Sequence, residues 1–92
     1  MTEYLLIATH SGNWEIAKSD GTLSRGTSHY LVVCKKDKKT NRLNCKPIVI
    51  KCTEEVKLEA KNELTDHMDN CESTMINLFF DENQTATGIK VL

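Results

Sequence analysis

The sequence predicts an α+β domain: an antiparallel sheet of about five to six short strands, arranged as hairpins, with one amphipathic helix packed on one face. Three observations carry that expectation. Short β-branched and aromatic runs recur between turn-forming clusters, one segment alone switches to a period of three to four residues, and the connections between neighbouring runs are short. The expected order is strand, strand, strand, strand, helix, strand, strand, in a single domain spanning residues 1–92.

Tyr4 to Ala8 is a continuous apolar run and reads as a strand covered on both faces. His10-Ser11-Gly12-Asn13 supplies turn chemistry, and Trp14 to Ala17 alternates, so residues 3–18 are expected to form a hairpin. Ser19 to Thr27 carries the dipeptides Asp20-Gly21 and Arg25-Gly26 and reads as a loop. A second hairpin pairs Tyr30–Cys34 with Leu43–Cys52 around a polar tip from Lys35 to Arg42. A turn centred between Lys39 and Thr40 makes residues whose numbers sum to 79 face each other, which sets Cys34 opposite Cys45. Pro47 has no N–H to give a ladder, so its strand should lie at an edge or carry a bulge.

From Thr53 the period changes. Val56, Ala60, Leu64, His67 or Met68, and Cys71 form one stripe of a helix expected to run to about Asn70. Thr53 suits the N-cap, and Glu54 and Glu55 complement the positive start of the helix. Ile76, Leu78 and Phe80 then alternate on a strand, 81–87 is a loop, and Gly88 to Leu92 forms a last short strand.

Composition narrows the function classes. Hydrophobic residues make up 39% and charged residues 27% of the 92 residues, with a net charge of −1, so no bulk attraction to nucleic acid or membrane is expected. The longest apolar runs are five residues, far short of the roughly 20 that span a bilayer. Without a basic segment and apolar core at the start, the chain is expected in the cytoplasm, unless a signal was removed upstream. The four cysteines (Cys34, Cys45, Cys52, Cys71) contain no Cys-x-x-Cys pair and are expected as reduced, buried small hydrophobes.

The charge is segregated. Residues 35–52 hold seven Lys/Arg against Asp37, a local +6, while 53–82 hold nine acids against Lys57 and Lys61, a local −7. The candidate partner-binding residues are therefore Lys35, Lys36, Lys38, Lys39 and Arg42 on the hairpin tip, and Glu63, Asp66 and Asp69 on the helix. Lysines at a sheet edge also discourage aggregation, which alone accounts for many such tips. Tyr30 is the aromatic nearest these lysines, and no base-stacking platform is evident beside them.

Signs of catalysis are sparse. Zinc at the cysteines with His29 or His67 lacks the usual paired spacing, since the closest cysteines are seven apart. His10 beside Ser11 belongs to a turn, and Asp81-Glu82 begins a loop. Residues 20–27 have the composition of an anion-binding loop, yet lack the Gly-Lys-Ser/Thr ending of a P-loop and precede no helix. No enzyme activity, cofactor or metal is expected.

In general character, though through no motif, the chain resembles small accessory proteins of bacteriophages and viruses, many of which block a host protein. The leading expectation is a non-enzymatic inhibitor or regulator acting by protein–protein contact, its partner a protein with complementary charged patches; a homodimer is also allowed. In a viral setting the cytoplasm would be that of the host cell. A small RNA- or DNA-binding protein using the 35–42 hairpin stands second, and a binder of a small anionic ligand or nucleotide through loop 20–27 third.

Overall fold

The computed structural model describes residues 2–37, 39–43, 46–68 and 73–92. The chain forms β1 (Glu3–Ala17), β2 (Leu23–Lys35), β3 (Ile48–Cys52), α1 (Glu54–Met68), β4 (Thr74–Phe80) and β5 (Ala86–Val91). The class is α+β with one helix, as the patterning indicates, but the strands close into a five-stranded barrel in the order β1-β2-β3-β5-β4. Three strands, not four, precede the helix. Every neighbouring pair is antiparallel except β3 and β5, which run parallel and meet at Cys52 and Ala86. Strand β4 returns beside β1, and the resulting order 4-1-2-3 is a Greek key.

The expected turn at 10–13 is the largest correction. Residues 3–17 form one continuous strand, and the chain reverses only at 18–22. Local turn propensity at His10-Ser11-Gly12-Asn13 loses to the cross-strand pairs that run without a break from Ala8↔Val32 to Ala17↔Leu23. The one irregularity is a bulge between Leu6 and Ala8. It shifts the alternation, so that Leu6 points into the barrel while Ala8, His10, Gly12, Trp14 and Ile16 point out.

The expected loop 19–27 shrinks for the same reason: Leu23 to Thr27 belong to β2. The true turn closes with the Lys18 and Thr22 backbone N···O pair at 2.8 Å, and Gly21 sits at φ +87°, where other residues are strained. Between β2 and β3 the expected register sum of 79 holds only at the isolated bridge Lys36↔Leu43. The strands themselves pair at 81, as in Leu31↔Ile50 and Val33↔Ile48, because β3 begins at Ile48, directly after Pro47. The expected pair Cys34 and Cys45 falls on Cys45, which lies outside the described residues.

The interior is filled from both ends of the sequence. Tyr4, Leu6, Leu31, Val33, Cys52, Ile76, Leu78 and Ala86 form the core, joined by Val56 and Ala60 and flanked by Leu64. A closed sheet has no free interior face, so a helix that reaches this cluster must do so through an open end of the barrel. The expected stripe Val56–Ala60–Leu64 is therefore right, while its packing on a sheet face is replaced by a plug. The Val56 N–H donates to Thr53 Oγ1 at 3.3 Å, so Thr53 caps the helix as its sequence position suggests. The expected continuation through Asn70 and Cys71, and the side chains of His67 and Met68, lie outside the described residues.

Beyond the barrel the β1–β2 hairpin continues as a two-stranded arm. Strand β4 pairs with β1 only at 3–6, and β3 with β2 only at 29–33, so residues 12–17 and 23–28 pair with each other alone. Six residues at about 3.3 Å each make an arm of roughly 20 Å. It gives the molecule its extents of 52 × 30 × 21 Å.

Candidate functional site

The arm and the adjoining barrel wall have two chemically different faces. On the inward face, from Ser11 to Glu15, three cross-strand pairs are polar and mutually satisfied. Ser11 Oγ lies 2.8 Å from His29 Nδ1, Thr27 Oγ1 donates to Asn13 Oδ1 at 2.9 Å, and Arg25 Nε donates to Glu15 Oε1 at 3.0 Å. These interactions hold the register of the arm and leave its other face to different residues.

The outward face follows from that register. One row runs across three adjacent strands as His10 (β1), Tyr30 (β2) and Lys51 (β3), and the next as Ala8, Val32 and Val49. The His10 and Tyr30 rings stack, with centroids 6.3 Å apart and planes inclined at 25°. Val49 is 66% exposed and Lys51 is exposed. Further along, Trp14 faces Gly26 and Ile16 faces Ser24. Neighbouring strands lie about 4.8 Å apart, so the His10–Tyr30–Lys51 row spans about 10 Å. From Ala8 onward no carboxylate occupies this face, where β1 presents Ala8, His10, Gly12, Trp14 and Ile16, β2 presents Ser24, Gly26, Ser28, Tyr30 and Val32, and β3 presents Val49 and Lys51; nearer the start of β1 the same side carries Glu3, paired with Lys36.

The residues singled out from charge are distributed differently. Lys35, Lys36, Asp37, Thr40, Arg42, Leu43 and Thr2 line a hollow of about 640 Å³ at the far end of β2. Lys36 Nζ is held 3.1 Å from Glu3 Oε2, and Lys39 is exposed. Asp66 is exposed and Glu63 half-buried on α1. Lys38 and Asp69 lie outside the described residues.

The 20–27 segment is not one loop but is divided between the 18–22 turn and the start of β2. Asp20 Oδ1 accepts from both the Thr22 N–H and hydroxyl, at 3.0 and 2.6 Å, and these bonds hold its carboxyl below the usual range. Arg25 is engaged by Glu15, and Gly26 lies under the Trp14 indole.

The buried cysteines Cys34 and Cys52 are free thiols. Burial pushes the Cys52 thiol up to about 11, far above any nucleophilic range, despite a smaller opposing effect of Lys57. Among the described residues no three His, Cys, Asp or Glu side chains gather as a metal site, and no helix is long and apolar enough to cross a membrane.

Charge reasoning passed over His10 and Trp14 and took Tyr30 only as the aromatic nearest the lysines, because the row is brought together by the β1–β2 register and not by sequence neighbours. The signal was present as alternation: reading 3–17 as one strand puts Ala8, His10, Trp14 and Ile16 on one side and Thr9, Ser11, Asn13 and Glu15 on the other. Compared with known proteins, the chain matches no family model, no curated protein and no solved structure.

Proposed function

We propose that the protein binds single-stranded nucleic acid on the outer face of β1, β2 and β3. The observation that carries this reading is the row His10–Tyr30–Lys51: a stacked aromatic pair beside a cation, with no carboxylate at the neighbouring outward positions from Ala8 to Ile16 on β1, Ser24 to Val32 on β2 and Val49 to Lys51 on β3. Bases stack on aromatic side chains whatever their identity, and a neighbouring lysine meets the phosphate. The architecture resembles the OB-type barrel, a five-stranded Greek key whose strand 2–3 face and adjoining loops receive oligonucleotides and oligosaccharides. A fold of this kind hosts many functions, so the residues on the face carry the argument. They also reorder the expectations from charge, which placed a protein partner first and nucleic acid second.

Binding should be led by stacking. One to three phosphate contacts predict a log–log salt slope of about −0.7 to −2 on a single strand. The test is fluorescence anisotropy with labelled 20-nucleotide dT and rU strands and with a 20-base-pair duplex, at about 0.05 M and 0.15 M salt. Preference for the single strands, lost about tenfold in Tyr30→Ala and reduced in Lys51→Glu, supports the reading. A protein with no affinity for any of the three probes, captured instead by an acidic or basic protein partner, would return the charge-complementary inhibitor to first place.

A further inference from the structure

Trp14 is the only tryptophan in the chain, and it stands on the arm, away from the hydrophobic core. Its ring lies across Gly26: a Cβ built at Gly26 would fall 2.4 Å from Cζ2 and 2.7 Å from Cε2 of the indole. Gly26 is not among the glycines at positive φ, so the backbone does not demand a glycine there. What demands it is the close approach of the ring. The absence of a side chain at 26 lets the indole come down close on the strand, and Trp14 is still 40% exposed. Covering a cross-strand glycine stabilises a ribbon, and that benefit is independent of any ligand. It does not account for the surroundings, where Ile16 is 59% exposed beside Trp14 on the same face.

The geometry connects this platform to the barrel. His10 and Trp14 are four residues apart on one strand and one face, or about 13 Å at 3.3 Å per residue. Gly12 and Ser28 fill the interval with no bulk and no charge, so nothing blocks the way between them. A hollow of about 580 Å³ opens at the ring, bounded by Asn13, Trp14, Glu15, Arg25, Gly26 and Thr27. Its polar rim is neutralised in itself, since Arg25 and Glu15 pair at 3.0 Å.

We infer that the arm is a second stacking subsite: a single strand seated on the His10–Tyr30 pair continues off the barrel, and Trp14 stacks one of its later bases over Gly26. This rests on the reading of the β1–β3 face as a nucleic-acid site and extends it to a part of the molecule that has no barrel behind it. The chemistry is shared by DNA and RNA, because either offers a base to the indole; the 2′-hydroxyl is what separates them.

The single tryptophan gives the test its own readout. The full chain is titrated with labelled (dT)12 and (rU)12, following probe anisotropy and Trp14 emission in parallel. Saturable anisotropy with quenching of Trp14 at the same midpoint is the expected result, and the tighter of the two probes identifies the preferred sugar. Trp14→Ala should weaken binding about tenfold, Trp14→Phe should restore most of it, and Gly26→Val, which lifts the ring, should resemble Trp14→Ala. Thermal melts of the three variants separate loss of a stacking surface from loss of the fold. Binding by anisotropy with unchanged Trp14 emission, and with wild-type affinity in Trp14→Ala, would overturn the arm subsite while leaving the barrel face standing. No anisotropy change with either probe would overturn both.

Discussion

At the scale of single residues, the barrel interior carries one side chain whose chemistry does not suit its place. Thr74 is 3% exposed, and its hydroxyl finds no hydrogen-bond partner among the described residues. A buried, unpaired hydroxyl loses its hydration without compensation, so the isosteric Thr74→Val should be neutral or stabilising by up to about 1 kcal/mol in urea denaturation. A loss of stability would show that the hydroxyl has a partner after all. Leu31, fully buried, is the opposite case: Leu31→Ala should cost about 2–5 kcal/mol by the same measurement. Cys52 makes a prediction in pH. In the unfolded chain its thiol ionises near 9, while in the folded barrel it keeps its proton until about 11. Between those values the unfolded state holds fewer protons, so the contribution of Cys52 to stability falls as pH rises and levels off above 11. Urea midpoints measured from pH 8 to 11 should decline by less in Cys52→Ala, which has no thiol to ionise, than in the parent.

At the scale of elements, the helix was legible and the long hairpin was not. Val56, Ala60 and Leu64 recur at a period that only a helix uses, and Thr53 marks its start with a hydroxyl, so two local signals agree. In β1 the local signals disagree with the outcome. The polar run at 10–13 looks like a turn until its partners at 27–30 are known, and those partners are 14 to 20 residues away in sequence. The same distance hid the site: His10 and Tyr30 become neighbours only through the register of β1 and β2. The arm should also be the least stable element, since a two-stranded ribbon with no third strand is marginal on its own. Native-state hydrogen exchange should show amides of 12–17 and 23–28 exchanging much faster than those of Leu31, Val33 and Ile76. Excising residues 13–27 and bridging Gly12 to Ser28 with Asn-Gly should leave a barrel that still melts cooperatively. Equal protection in arm and barrel would mean that the arm is braced in solution by contacts of its own.

At the scale of the whole molecule, charge is segregated by element as the sequence indicates, but the barrel determines what that separation means. The acids of α1 sit on a plug whose apolar stripe faces inward, while the outward row of β1–β3 around Tyr30 carries Lys51 and no acid. Closure of the sheet could not have been read from the chain, because its defining contact joins Cys52 to Ala86 across the helix and β4. That contact, described above as one residue pair, also sets a timetable. Strands β1, β2 and β3 are neighbours in sequence and can pair as soon as they leave the ribosome. The seam with β5 must wait for the last strand to be made. Until then the nascent meander presents its inner side chains, Leu6, Leu31 and Val33 among them, to whatever surrounds it. Synthesis therefore passes through an interval in which an open, sticky sheet exists without its lid, and slow translation across residues 53–85 would lengthen it.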